Sequence, residues 1–324
     1  MEKAPAPRLP NQSIGSVVTA IGPVWVAVIA LYVISAIISP AMFQPSQVMN
    51  ILQVAAFVGL IACGQTLVLL IGGIDMSQAG VVTLINIIAT SMMMGSDANI
   101  GFAVVACLGL ALAIGAANAF LIVMLRITPL IATLSTNSIL FGIALIYTGG
   151  APHGSSAPSF NWLGQGNIAG FPVSALCWLA VALMLAWVTR ATVYGRWLYA
   201  TGANPVAARM MGIPTRAVQA SGYIVSALTA ALGSLLLTAY VGSPSLGIGN
   251  QFMFTAVAAV VVGGTALSGG IGGVMATVGG AIFITELNSF TNIIRINTGT
   301  QMVLQGAIIV ASVVLYRAVA QKRR

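Results

Sequence analysis

Charge is what this 324-residue chain lacks: Asp and Glu together number four, Lys and Arg twelve, and 5% of residues are charged, against roughly 25% in ordinary soluble domains. With 59% hydrophobic residues and a mean hydropathy of +1.03, a water-soluble globular enzyme is excluded and a polytopic membrane protein is implied. Lysine is scarcer still, since Lys3 and Lys322 are the only two. A nucleotide-binding P-loop needs a lysine beyond its glycines to reach the phosphates, so the chain cannot hydrolyse ATP by that route. The four acids, Glu2, Asp75, Asp97 and Glu286, supply no relay of carboxylates across a membrane, which leaves a proton- or sodium-coupled carrier little to work with. The single histidine, His153, lies in a loop next to no acid, which disfavours a Ser/His/Asp set and a histidine metal site. Cys63, Cys107 and Cys177 sit inside apolar runs without C-x-x-C spacing and read as small buried hydrophobes, with no disulfide or metal role.

What is present is a succession of apolar runs. After MEKAPAPRLPNQ, a Pro-rich polar tail that reads as disordered (1–13), the run Ile14–Ile38 exceeds the apolar core of a cleaved signal. It reads as a retained span, about 20 apolar residues being enough to cross the hydrocarbon layer. Further runs follow at Val48–Ile71, from Ser77 to about Gly95, Ile100–Leu125, Pro129–Thr148, Val173–Val188, Val218–Val241, two within Asn250–Phe290, and Thr300–Val319. The break GGIDMS (Gly72–Ser77) separates the second and third; Asp75 followed by Gln78 has the spacing of a capping box that would start the third helix. GGTALSGGIGG (Gly263–Gly273) divides the eighth from the ninth. Gly149–Pro172 reads as a loop with Phe160, Trp162 and Phe171 as interface anchors. The expected fold is therefore all-α, a polytopic membrane helix bundle of about ten transmembrane helices, a single domain over 14–320 with a basic tail at 321–324.

The basic residues orient it. With both termini in the cytoplasm, eleven of the twelve Lys and Arg fall inside and Arg295 alone falls outside, as the positive-inside rule demands. The net charge of +8 thus reads as topology and lipid-headgroup contact, with no nucleic-acid partner. The loop 189–216 is then cytoplasmic, and it contains a short helix whose ends are written in the sequence. Asn204 can cap it, Pro205 suits its first position, and Gly212 can take the left-handed stop conformation. So short a helix is marginal alone in water and needs a support. LVLLIGGIDMSQAG (Leu67–Gly80) and AVVVGGTALSGG (Ala259–Gly270) echo one another, each an apolar run broken by Gly-Gly; interrupted segments of this kind point toward a transport pathway, though shared packing needs explain the echo as well as duplication does. Gln65, Asn86, Asn118, Thr133, Ser135, Asn137 and Ser138 are polar residues inside spans, candidates for path lining or for helix-to-helix hydrogen bonds. Asp75 and Glu286 join the path candidates by default as charges within apolar runs, against readings as a helix cap and as a carboxylate near Asn288 and Arg295 at the interface.

GANPVAARMMGI (Gly202–Ile213) resembles the G-x-N-x-x-A-A-x-x-x-G-I signature in the cytoplasmic loop of ribose-type ABC transporter permeases, and the match holds at Gly202, Asn204, Ala207, Ala208, Gly212 and Ile213. GGIDMS is similar to that family's GGIDLS, PLIATLSTNSILFGIALIYTGG to its F-I-A-T-L stretch, and AAVVVGGTALSGGIGG to its A-V-V-L-G-G-T-S-L-x-G-G. Phe141 stands where many relatives have arginine, and Pro205 where they often have an acid. The resemblance implies the membrane subunit of a binding-protein-dependent importer in the bacterial inner membrane. Such permeases dimerise, with a second copy or a sister chain, receive a monosaccharide from a periplasmic binding protein, and are driven by cytoplasmic ATPase subunits that carry the ATP and Mg, this chain binding no cofactor itself. Gly202, Asn204, Pro205, Ala207, Ala208, Arg209 and Gly212 would then be the ATPase-coupling residues. The competing readings are a self-sufficient secondary carrier or channel, with Glu286 and Asp75 as coupling sites, and a membrane scaffold without transport.

Overall fold

A computed structural model describes residues 14–297, 299–301, 303–304, 306–308 and 310. Most of the run Thr300–Val319, expected as the last span, lies outside the described residues.

Twelve helices carry the described chain: α1 (Ile14–Ile38), α2 (Pro45–Leu70), α3 (Gln78–Met93), α4 (Ile100–Ala119), α5 (Pro129–Thr148), α6 (Pro158–Gln165), α7 (Val173–Ala191), α8 (Val193–Ala203), α9 (Pro205–Met210), α10 (Thr215–Val241), α11 (Phe252–Val262) and α12 (Val274–Ile293). A π-helical segment, Phe120–Met124, extends α4. Among the described residues the only strands are the two-residue pair Asn167–Ile168 and Phe171–Pro172. Proline sets four of the starts, occupying the first turn of α2, α5, α6 and α9, where its missing N–H would be unpaired in any case. Gly149, Gly212 and Gly242, all at positive φ, end α5, α9 and α10.

Two helices form the axis. In the most apolar stretch of α2 83% of residues are buried and in that of α10 67%, against 28% in those of 97–124 and α5, so α4 and α5 lie toward the outside of the bundle. Where solvent on both sides is apolar, helices associate through close packing, and glycine supplies the room. A Cβ at Gly64 of α2 would meet the Ser226 Cα of α10 at 2.7 Å, and one at Gly115 of α4 would meet the Ile224 Cα at 2.7 Å.

Among the described residues six stretches are long and apolar enough to cross a membrane: α2, 97–124, α5, α7, α10 and α12. The expected third and eighth spans are shorter than that. α3 has 16 residues and α11 has 11; at about 1.5 Å per residue, α11 covers roughly 16 Å of a hydrocarbon layer about 30 Å thick. Its approach is made by the non-helical segment 243–251, which enters the bundle: the Gly249 N–H donates to Thr83 Oγ1 at 3.2 Å and the Ser245 N–H to Asn86 Oδ1 at 2.9 Å.

Three local expectations are corrected. The Asp75–Gln78 capping box does not form: Ser77 is the N-cap residue, Gln78 opens the helix, and both expected partners bond elsewhere. The 149–172 loop contains α6, whose Phe160 is buried at 3% exposure, while Trp162 and Phe171 remain half exposed; only those two fit an interface position. The 189–216 loop holds a second helix, α8, ahead of the expected one, because Thr192 caps it by accepting from the Gly195 N–H at 3.2 Å.

Replacing Gly64 by leucine is expected to pry α2 from α10. The bulk must displace backbone, and overpacking of that kind costs about 1–3 kcal/mol; a lowered thermal midpoint and a smaller monodisperse fraction on size exclusion would register it, whereas an unchanged profile would contradict the packing described.

Candidate functional site

The helix predicted at 205–212 forms as its sequence dictates. Asn204 Oδ1 accepts from the Val206 and Ala207 N–H groups, each at 3.0 Å, and Gly212 closes it at φ 81° with the Ile213 N–H donating back to Ala208 O at 3.1 Å. Its support is α8 together with the two chain breaks. Leu70 O, one of the carbonyls that the end of α2 leaves without a helical partner, accepts from the Gly270 N–H at 2.9 Å. Gly202, the penultimate residue of α8, lies directly over that bond: a Cβ there would collide with Leu70 O and stand 2.7 Å from the Gly270 nitrogen. A Cβ at Gly269 would lie 2.8 Å from Gly202 O and 2.9 Å from the Gly72 nitrogen. Tyr199 Oη donates to Gly272 O at 2.9 Å; burial raises the phenol above its ordinary pKa while Arg190 pulls it the other way. The two echoing glycine segments therefore meet each other and the root of α9 at one point.

The coupling residues named from the sequence separate into two sets. Gly202 and Ala208 are buried, whereas Asn204, Pro205, Ala207, Arg209 and Gly212 are exposed. Val206, Met210 and Met211, which the sequence reading passed over, are exposed by 65%, 86% and 80%. Exposed apolar side chains grouped on so short a helix are what an interaction surface presents. Its signal in sequence was the pair of methionines before the glycine stop, uninformative until the fold shows which way they face.

Behind the α2–α3 break lies a buried polar network. Asp75, 1% exposed, accepts through Oδ1 from the Ser77 N–H at 2.9 Å and Ser77 Oγ at 2.6 Å, and through Oδ2 from Ser226 Oγ at 2.6 Å. Asn118 Nδ2 donates to Ser77 Oγ at 2.8 Å and Thr136 Oγ1 donates to Asn118 Oδ1 at 2.6 Å. Gln78 Nε2 donates to Ser226 Oγ at 2.8 Å and to Ile61 O at 3.2 Å. These bonds tie α2, α3, α4, α5 and α10 together around one carboxylate, satisfying groups that would otherwise be costly to bury.

Of the path candidates, then, Asp75 and Asn118 belong to this network. Asn86 holds the entering 243–251 segment, also donating to Thr238 Oγ1 at 3.0 Å. Thr133 bonds Pro129 O at 2.8 Å and receives the Met76 N–H at 3.0 Å. Gln65 is fully buried with neither side-chain polar atom partnered among the described residues, and Glu286, 2% exposed, leaves Oε1 without a partner there. Ser135 is exposed. Asn137 accepts the Gly80 N–H at 2.7 Å and borders a cavity of 280 Å³ shared with Ala79, Gly80, Thr83, Ser138, Phe141 and Asn250. That cavity is where the start of α3, the face of α5 and the segment before α11 come together. Among the described residues no group of three or more His, Cys, Asp or Glu side chains could hold a metal ion.

Residues 47–313 match the family described as branched-chain amino acid transport system / permease component. The ribose import permease protein RbsC of Bacillus subtilis is 33% identical over 304 residues, 93% of this chain and 94% of the relative. The chain belongs to the ribose-type ABC permease family. The Escherichia coli K12 ribose import permease is 32% identical over 296 residues, 90% of this permease and 91% of the relative. The xylose/arabinose import permease XylH of Sulfolobus acidocaldarius is 33% identical over 291 residues, 86% and 80% respectively. No solved structure matches the permease.

Removing the cap of α9 should loosen it selectively. In an Asn204→Ala permease two amides lose their acceptor, at about 0.5–2 kcal/mol. Hydrogen exchange is expected to accelerate at Val206 and Ala207 and to stay unchanged in α2 and α10; uniform acceleration would mean that Asn204 supports the whole fold.

Proposed function

We propose that the chain is the membrane subunit of an ATP-binding-cassette importer for a neutral monosaccharide, with α9 as the helix on which a separate cytoplasmic ATPase acts. The observation that carries this reading is the exposed apolar face of α9, Val206, Met210 and Met211, rooted through Gly202 on both chain breaks. An ATPase cleft would cover that face; Arg209 and Pro205 lie beside it, and Gly202 and Ala208 act as seats for the helix. The curated relatives named for ribose and for xylose and arabinose support a pentose or related small sugar, delivered by a periplasmic binding protein. ATP and Mg reside on the partner, since this chain has no lysine placed for a P-loop.

The positive-inside count supports cytoplasmic termini and a cytoplasmic α8–α9, in an arrangement of ten membrane segments in the bacterial inner membrane. In it α3 and α11 complete their crossings with the non-helical stretches 72–77 and 243–251, irregular backbone being tolerated at membrane depth where it lines a cavity or is buried in protein. The sugar's route runs along α5. Its uncovered surface offers Ser135 and Ser138 beside Gly142, where nothing lies within 4 Å of a would-be Cβ, and Asn137 and Phe141 open into the adjoining cavity. A second copy or a sister permease facing α5 would close that route. Movement of α9 reaches it by a short mechanical path: α8 bears on the α2–α3 break, and the Asp75 network joins that break to α5 through Asn118 and Thr136. Closure of the ATPase pair would thus shift the bundle between two packings.

Uptake in cells depleted of ATP but retaining a proton gradient is expected to stop; uptake that continues would favour a self-sufficient carrier and overturn the proposal. Met210→Glu combined with Met211→Glu should abolish copurification of the ATPase without lowering the thermal midpoint of the permease. Normal copurification would remove α9 from the interface.

A further inference from the structure

A second cavity, of 410 Å³, opens at the end of the bundle remote from α9, between the start of α2, the end of α10, the start of α11 and the end of α12. It shares no lining residue with the α5 cavity and falls in the size range of small-molecule sites. None of its described lining residues is charged, so it suits a neutral occupant. One wall is formed by Phe57 and Tyr240, whose rings lie 5.3 Å apart at 44°. The amides of Asn50, Gln251 and Asn292 stand elsewhere in the lining, among apolar side chains that include Ile51, Val54, Leu237 and Phe252, Asn292 Oδ1 accepting from Gln301 Nε2 at 2.7 Å.

The residue that gives the cavity its meaning is Thr285. On α11 and α12 the other threonines turn back to bond a carbonyl one turn earlier: Thr255 to Gln251 O, Thr277 to Gly273 O and Thr291 to Leu287 O. Thr285 lines the cavity, is 4% exposed, and its Oγ1 has no partner among the described residues. A hydroxyl buried without a partner costs free energy unless something else supplies one. An acyl chain cannot, and would strip water from the amides as well. A polyhydroxyl ring satisfies both walls, its C–H face against the aromatic pair and its hydroxyls toward Thr285 and the amides.

We propose that this cavity binds one neutral polyhydroxyl molecule of monosaccharide size, within a single protomer and apart from the α5 route. The choice of sugar as the ligand rests on the importer reading; the site itself rests on the cavity and on Thr285.

The test uses the full-length chain in lipid nanodiscs, without binding protein, ATPase or nucleotide, titrated with D-ribose, D-xylose and D-glucose by saturation-transfer-difference NMR. At least one sugar should give a saturable signal. Thr285→Val removes no hydrogen bond to a described residue, so it should keep the thermal midpoint, while weakening binding about fivefold to tenfold, the effect of one hydrogen bond to a neutral group. Gln251→Ala is a second variant expected to weaken binding, and His153→Ala, at an exposed loop position outside both cavities, should leave it unchanged. Absence of a saturable signal for all three sugars overturns the proposal. So does unaltered affinity in both cavity variants, or magnetisation transfer from lipid acyl chains to the Thr285 methyl that the sugars do not displace. Because no ATPase is present, this result is independent of the uptake experiment: uptake persisting without ATP would remove the importer reading and leave the binding measurement standing.

Discussion

The contact on which the rest of the architecture depends is a single backbone hydrogen bond, from the Gly270 N–H to Leu70 O, covered by Gly202. It finishes α2, fixes the glycine-rich reversal between α11 and α12 against the reversal between α2 and α3, and seats the end of α8. Only glycine permits three backbones to approach so closely, because a Cβ at Gly202, Gly269 or Gly270 would enter a neighbouring main chain. Everything proposed for α9 follows from that junction: a helix of six residues has no stiffness of its own, and it acts as a lever only because its root is held.

The second constraint is hydrogen-bond accounting in an apolar medium. A chain with so few charges must still bury backbone and polar side chains, and within a bilayer each unsatisfied group is expensive. The helix breaks meet that demand locally. Asp75 gathers the donors around the first break, and Asn86 and Thr83 receive the N–H groups of Ser245 and Gly249 in the segment before α11. Of the polar candidates read from the sequence, Asp75, Asn86, Asn118 and Thr133 bond neighbouring segments, whereas Asn137 and Ser138 border the cavity beside α5 together with Asn250, and Thr285 lines the cavity at the far end. Against this background the unpartnered hydroxyl of Thr285 is informative, since Thr277 and Thr291 on the same helix both bond a carbonyl one turn earlier.

How much of this was legible can be argued residue by residue. The boundaries of α1 and α5, and the cap, first turn and stop of α9, were readable because Pro129, Asn204, Pro205, Gly149 and Gly212 act through their own backbone and side-chain chemistry within a few residues. The capping box at Asp75 was misread because its carboxylate found better donors in Ser77 and in Ser226 on α10, a residue far away in sequence. The eighth run was misread as a full span because apolar composition does not show that the helix covers only Phe252–Val262, with the turns before it bonded to Thr83 and Asn86. Phe160 was misplaced at a membrane interface because the loop that carries it folds into a helix against α10.

What the sequence determined by itself was the class, an all-α membrane protein, the cap, first turn and stop of α9, and, through the resemblance of its loop and glycine motifs, the ribose-type permease family. The class and the helix signals follow from composition, from apolar runs and from local chemistry, and the family from the resemblance of short motifs; none of these needs knowledge of neighbours in space. Tertiary structure alone decided that the two glycine breaks meet at the foot of α9, that Val206, Met210 and Met211 are exposed while Ala208 is not, and that Thr285 lines a cavity. Those are statements about which distant segments share space, and in a bundle of nearly uniform oily helices that is settled by where small residues let backbones touch.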